Sequence, residues 1–449
     1  METHPVHTET PAVLQETPAV PEGTHPARRE TLPAPRETFP ARRILTAVAA
    51  AAVLLVTLPV VPAAAADTTR CTFPSKKYPG RPWALQRVLL DELWKQSTGK
   101  GVRVAVIDTG VDVKNEQLKP AVDVRAGRNF LPKDLKDEDG RKIERGKENG
   151  TTDRVGHGTK VAGIIAARQA KGTGFTGLAP DAVIIPLQQN DAEGNGTTKT
   201  LADAIRYATG TAKADIINIS QDTADAVKPS EDLRQAVNAA LAQDIVVVAS
   251  AGNDGLGGKV KETYPASFDG VLAVASSDRN NERAPFSQSG EFVGVAAPGV
   301  DMVSTVPGGG HCADHGTSFS APYVAGVAAL IRAKHPDWTQ KQIVAQIQQT
   351  AERSVAGHDR LVGWGVVDPV RALTEDDKPI DRPVAHEGVS KGKAPTPAEL
   401  HLGETADERN ARLATYVVVG GGVLVAAIAG AAVAVRDRRR RMMRLPANT

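Results

Sequence analysis

The sequence predicts an α/β domain: a mostly parallel β-sheet flanked by helices. Two observations carry that prediction. Six short apolar runs, "VRVAVID", "AVIIPL", "DIINIS", "IVVVAS", "VLAVAS" and "FVGVAAP", lie between residues 102 and 298. Their nearly continuous Val/Ile content fits strands covered on both faces, because a strand with one wet face alternates apolar and polar residues. Stretches of helical period, such as "TLADAIRYATGTA" and "EDLRQAVNAALAQ", separate some of these runs. Strands alternating with helices argue for parallel crossovers.

Taken from the N-terminus, the first signal is a targeting one. "ARRILTAVAAAAVLLVTLPVVPAAAAD" offers Arg42 and Arg43, an apolar run from Ile44 to Val61 and an A-x-A site ending at Ala66, the layout of a secretory signal peptide over residues 1–66. The polar lead before Arg42 is long for such a signal. An extended signal peptide, a start codon placed too early and an uncleaved anchor all fit, and cleavage after Ala66 is the expected outcome. Residues 67–100 form an N-terminal extension in which Trp83, Leu85, Val88, Leu89 and Leu93 suggest a short helix. The α/β domain then runs over 101–375. Residues 376–412 lack periodicity and are rich in Pro, Lys and acidic side chains, so they read as a linker.

Leu413 to Val435 is 23 residues without a charge, enough to cross a hydrocarbon core of about 30 Å. "RDRRRRMMR" follows, with six arginines and one aspartate. A buried core helix is the alternative reading, but the arginines favour a stop-transfer helix. The positive-inside rule puts the tail 436–449 in the cytoplasm and everything before Leu413 outside. The expected location is therefore the cell membrane, single-pass, with the α/β domain extracytoplasmic.

A net charge of +2 over 449 residues gives no electrostatic footprint for nucleic acid. The chain has two cysteines, Cys71 and Cys312. In an oxidising compartment an even pair favours one disulfide, with two free thiols as the alternative. No metal or cofactor is expected. "DLKDEDG", inside the polar run from Lys133 to Arg154, departs from EF-hand spacing and reads as a solvated loop, with calcium binding as the alternative.

Four segments look like pieces of an active site, although each has a plainer reading. "VRVAVIDTGVD" ends a buried strand in Asp108, at the edge where α/β proteins place their sites. A carboxylate there could orient an imidazole, or it could simply form a turn. "GHGTKVAGIIAA" sets His157 between two glycines at the head of a helix, where close approach is open to a second group. A neutral imidazole can take and return a proton; an ordinary histidine beside a helix cap is the alternative. "VVVASAGNDG" places Asn253 just after a strand, as an amide donor for an oxyanion or as part of an Asn-Asp-Gly turn. "HGTSFSAPYVAG" offers Ser318 as a nucleophile or as a helix N-cap.

Together, "DTG", "GHGT", "AGN" and "GTSFSAP", in that order, resemble the subtilisin-like serine proteases, and the order Asp, His, Ser is that family's. "YPASFDGVLAVASSD" and "FSQSGEFVGVAAPG" between the motifs support the resemblance, which runs from about Gly101 to Leu373. It implies a seven-stranded parallel sheet and a serine-type endopeptidase acting on protein or peptide substrates. It also implies Ser318 as nucleophile, His157 as base and then acid, and Asp108 as its holder. Asn253 and the Ser318 N–H would be the oxyanion donors. Ser220, Gln221 and Asp222 would occupy the substrate-binding strand, where the family commonly has Ser-Leu-Gly; Asp222 could favour basic P1 residues or impair binding.

The signal peptide, Trp-containing extension, linker and arginine-ended helix resemble the mycosins, the membrane-anchored subtilisin-like proteases of actinobacterial type VII secretion systems. That resemblance implies selective cleavage of secretion substrates and association with the secretion membrane complex, in which a structural role is the alternative to hydrolysis. A generic anchored quality-control protease is a further alternative. Mycosins commonly carry a cysteine shortly before the catalytic histidine. "TTDRVGHGT" has none, so Cys71 would need Cys312. The 34 residues between Ala66 and Gly101 are too few for a folded inhibitory pro-domain.

Overall fold

A computed structural model describes residues 71–136, 140–191, 196–221, 230–257, 262–385 and 406–442. The signal peptide, the cleavage position after Ala66, Asp222 and the middle of "DLKDEDG" lie outside the described residues.

Two short helices, α1 (Trp83–Gln86) and α2 (Leu90–Gln96), precede β1 (Arg103–Asp108), the two-residue β2 (Arg128–Asn129), α3 (His157–Ala166) and β3 (Val183–Gln188). Next come α4 (Thr198–Gly210), β4 (Ile216–Ile219), α5 (Glu231–Ala242), β5 (Val246–Ser250), β6 (Leu272–Ser277) and β7 (Val293–Pro298). A hairpin of β8 (Met302–Thr305) and β9 (His311–Asp314) leads into α6 (Thr317–Lys334), α7 (Gln340–Thr350) and α8 (Pro369–Thr374). The last helix is α9 (Ala406–Met442).

Seven strands form one sheet in the order β2-β3-β1-β4-β5-β6-β7, and every pairing is parallel. The six apolar runs read from the sequence are β1 and β3–β7. Their side chains alternate between two cores, as the pleat requires. Val104 and Val106 of β1, with Val246 and Val248 of β5, face the layer containing α3 and α6. Ala105 and Ile107, with Val247 and Ala249, face α4 and α5. Both faces are dry, which is why the runs read as continuous rather than alternating.

The chain leaves β1 toward β3 on one side and resumes at β4 on the other, so β1 sits at the switch point. A crevice opens at the carboxyl ends of strands at such a point, where open α/β sheets bind ligands. Asp108 is the last residue of β1.

The extension is bent rather than one helix. Leu85, Val88, Leu90 and Leu93 are all buried, whereas Leu89 is 62% exposed. The break after Arg87 lets the four apolar side chains reach the core together, which one continuous turn pattern would not. The indole N–H groups of Trp83 and Trp94 donate to the carbonyls of Val300 and Leu178. Cys71 is bonded to Cys312 of β9, tying together residues 241 positions apart. Past residue 375 the chain still packs on the domain. Asp376 is buried against Lys334 and His335, at 2.7 and 2.6 Å. Within α9, Glu408–Arg440 is long and apolar enough to cross a membrane, and none of its most apolar window is buried.

Candidate active site

His157 is the first residue of α3, directly after Gly156, whose φ of 83° lies in the left-handed region. Glycine is favoured there because a Cβ is strained at such a φ. Gly158 is small for a different reason. A Cβ on it would stand 2.1 Å from the Gly110 carbonyl oxygen and 3.1 Å from Asp108 Oδ1. Its missing side chain lets the first turn of α3 close onto the end of β1. As a result His157 Nδ1 lies 2.7 Å from Asp108 Oδ1. A carboxylate only accepts, so Nδ1 carries the proton and Nε2 is left as the basic atom. Asp108 is 1% exposed, while the His157 side chain keeps 28% of its surface open.

Burial works against the imidazolium, but the Asp108 charge and hydrogen bond, with the charge of Asp153, outweigh it. The net effect holds His157 above its ordinary value of 6.5, with Lys160 acting in the opposite direction.

Ser318 is half-buried in the first turn of α6. The ring of its neighbour Phe319 lies 5.3 Å from that of His157, so this turn runs alongside the imidazole. The Ser318 N–H is among the first-turn donors that lack an intrahelical acceptor. Pro322, inside the helix, has no N–H to return to the Ser318 carbonyl.

Asn253 follows β5, and its Oδ1 accepts from the backbone N–H and the hydroxyl of Thr317, at 2.9 and 3.1 Å. With the oxygen so engaged, the remaining polar atom of this side chain is the Nδ2 donor, and the residue is exposed. Asp108, His157, Asn253 and the head of α6 thus converge from β1, α3, β5 and α6 at one rim of the sheet.

Ser220 lies at the end of β4, buried, with its hydroxyl accepting from Asn218 Nδ2 at 2.8 Å. The amide of Gln221 is hydrogen-bonded to Asn190 and Gln189. A cleft lined by Thr109, Leu131, Gly146, Arg154, Gln188 and Asp191 opens beside Asp108.

Three residues that matter here carried no signal in the sequence reading. Thr317 holds the amide of Asn253. Asp153 accepts from five donors around the turn before His157. Lys160 is buried one turn after His157 and paired with Asp314 at 2.7 Å. An aspartate four residues ahead of the histidine, and a lysine inside an otherwise apolar helix, were the available clues.

A family model, Peptidase S8 or subtilase family, matches residues 99–365. Subtilisin Savinase of Lederbergia lenta is 36% identical over 287 residues, covering 64% of this chain and 96% of that protein. M-protease of Shouchella clausii (strain KSM-K16) is 37% identical over 287 residues, covering 64% of this chain and 68% of its own length. Two solved structures are similar over most of their length. MycP1 from Mycobacterium smegmatis aligns with a TM-score of 0.59 at 31% identity, covering 71% of this chain and 91% of that one. The MycP3 protease from the type VII (ESX-3) secretion system aligns with a TM-score of 0.57 at 32% identity, covering 67% and 92%.

Proposed function

The chain belongs to the subtilase family of serine endopeptidases, and from that premise we propose that Ser318, His157 and Asp108 are its catalytic triad, with Asn253 and the Ser318 N–H as its oxyanion donors. The observation that carries the assignment is the 2.7 Å bond between His157 and a buried Asp108, beside a serine at a helix N-terminus. In the reaction, Ser318 Oγ bonds to the scissile carbonyl carbon as its proton passes to His157 Nε2. The carbonyl oxygen becomes an anion that accepts from the Ser318 N–H and Asn253 Nδ2. Collapse breaks the C–N bond, and the same proton moves from Nε2 to the leaving amine. Water repeats the sequence on the acyl-enzyme. An extended peptide substrate would lie along Ser220, Gln221 and Asp222.

The test is labelling of the folded chain by a fluorophosphonate. Modification is expected at Ser318 and absent in Ser318→Ala; no labelling of folded protein would refute the triad. Ser318→Ala should cut kcat by roughly 10⁶, the size known for subtilisin itself. Asn253→Ala should cost about 10²–10³, also a subtilisin figure, and leave measurable turnover.

The finer role we propose is a mycosin-like one: an enzyme anchored by α9, with its protease domain outside, the arginine tail in the cytoplasm and the signal peptide removed after Ala66. What supports it is the similarity to MycP1 and MycP3 and the apolar span Glu408–Arg440 ending in arginines. One of the similar solved structures is described as an essential component of the type VII (ESX-1) secretion system, which favours a second reading: a structural part in a secretion complex. Complementation separates the two. Secretion restored by Ser318→Ala, but not by a chain lacking 413–435, supports the structural part; failure of both counts against it.

A further inference from the structure

Two charged side chains flank His157, and neither touches the reacting atoms. Asp153 is 5% exposed, and every group hydrogen-bonded to it donates, the set of partners a carboxylate takes. Oδ1 accepts from the N–H groups of Val155 and Gly156 and from the Thr109 hydroxyl, at 3.0, 2.8 and 3.0 Å. Oδ2 accepts from the Thr159 N–H and hydroxyl, at 2.8 and 2.6 Å. Burial holds this carboxyl above its ordinary range, and the Asp108 charge acts the same way; the hydrogen bonds from Thr159 and Gly156 oppose that rise without cancelling it. The Thr109 oxygen in turn accepts from the Gly158 N–H at 3.0 Å. Asp153 therefore grips both neighbours of His157, Gly156 directly and Gly158 through Thr109, the residue after Asp108.

Lys160 is the opposite charge. Its side chain is 8% exposed, and Nζ reaches Asp314 of β9 at 2.7 Å. It also lies 6.0 Å from the centre of the Phe319 ring, the same ring that packs on His157. Other charged groups stand near this rim, among them the buried Asp112, whose N–H donates to Thr159 Oγ1 and whose Oδ2 accepts from the Gly308 N–H. Asp108 comes from β1, Asp314 is engaged by Lys160, and Arg154 is exposed and paired with Glu144. His315, before α6, is exposed, and the first turn of α6 brings Thr317, Ser318 and Phe319, none of which ionises near neutral pH.

We propose that Asp153 and Lys160 are an opposed pair of positioning charges, Asp153 favouring the imidazolium that His157 forms and Lys160 restraining it. The pair serves the reaction from both ends. The imidazolium must be stable enough to form when Ser318 gives up its proton. It must also be acidic enough to hand that proton to the leaving amine. Asp153 adds the geometric role, since its hydrogen bonds fix the turn that aims the ring. The inference rests on His157 as the proposed base.

The test follows His157 itself. In the full-length chain held in detergent micelles, ring-¹³C-labelled histidines are titrated, and the His157 resonance is identified by its loss in His157→Gln. Asp153→Asn should move the midpoint down, Lys160→Met should move it up, and the double variant should return toward the wild type. Peptide hydrolysis should follow. On the acid limb, relative to each variant's own plateau, Asp153→Asn should gain and Lys160→Met lose on the order of threefold in kcat/KM. Lys160→Arg, which keeps the charge, should restore the wild-type profile. Midpoints that stay put, or move in the same direction, overturn the proposal. If Asp153→Asn does not fold, Lys160→Met decides alone, since it leaves only the partly exposed Asp314 without its partner. Opposite shifts of the resonance in a chain that cleaves no peptide would uphold the charge pair and refute the catalytic reading.

Discussion

Helices α6 and α9 are written in nearly the same alphabet of Ala, Val and Gly, yet they are handled in opposite ways. α6 buries 14 of its 18 residues; the apolar window of α9 buries none. Both are apolar around much of their circumference, and a helix of that kind belongs inside something. α6 finds the sheet on one side and α3, α7 and α8 around the rest. The apolar window of α9 is covered by none of the described residues, and for that reason a bilayer is its proposed surroundings. The difference teaches that composition names a helix that must be covered, while its flanks name the cover. α6 opens on Gly-Thr-Ser, where Gly299, Gly252 and Asn253 engage the polar groups of Gly316 and Thr317, whereas α9 ends in "RDRRRRM".

The same substitution in the middle of each helix is the sharpest way to break this contrast. Val327 is fully buried in α6. Val327→Arg puts an unpaired charge into the core and should cost more than about 5 kcal/mol. The expected result is loss of both the cooperative melt and hydrolysis. Val425→Arg sits mid-span in α9, where an arginine opposes membrane insertion by about 2.5–3.5 kcal/mol. The chain should shift from the membrane to the soluble fraction while the domain melts and cleaves peptide as before. If Val425→Arg destroys activity as Val327→Arg does, α9 is part of the domain's core and the contrast fails.

How much of this was legible in the sequence depended on whether a residue's task is local. The strands were legible because burial on both faces leaves an unbroken Val/Ile run. β2 was not: Arg128 and Asn129 have no apolar signature, and they pair only because β3 offers an open edge. The hairpin β8–β9 was missed because its strands are four residues each and His311 and Cys312 earn their places through the extension. The side chain of His311 bonds both the Tyr78 N–H and Gln117. Asp108, His157, Asn253 and Ser318 stood out as candidates because glycines or strand ends mark them and their motifs follow one another in a recognisable order. Asp153 and Lys160 did not. The ion pair of Lys160 spans 154 positions, and no local pattern announces a partner that far away.

The smallest expected effect lies at the head of α6. The Thr317 hydroxyl donates to Asn253 Oδ1 at 3.1 Å and accepts from the Gly252 N–H at 3.2 Å. Both bonds are long, and the Thr317 N–H also holds Asn253 Oδ1, at 2.9 Å. Thr317→Val keeps the branched shape and that backbone bond while removing the hydroxyl. Bonds of this kind contribute about 0.5–1.5 kcal/mol each, so kcat should fall by roughly tenfold or less. KM should hardly change, because the amide acts on the anion formed in the transition state rather than on the bound peptide. The decisive measurement is the pair of substitutions made together. If Thr317 works by aiming Asn253, Thr317→Val should cost little in a chain that already carries Asn253→Ala, since there is no amide left to aim. Two losses that multiply in full would mean that Thr317 supports the turn of α6 and not the oxyanion donor. The polar head of that helix would then differ from the ends of α9 in structure alone, not in chemistry.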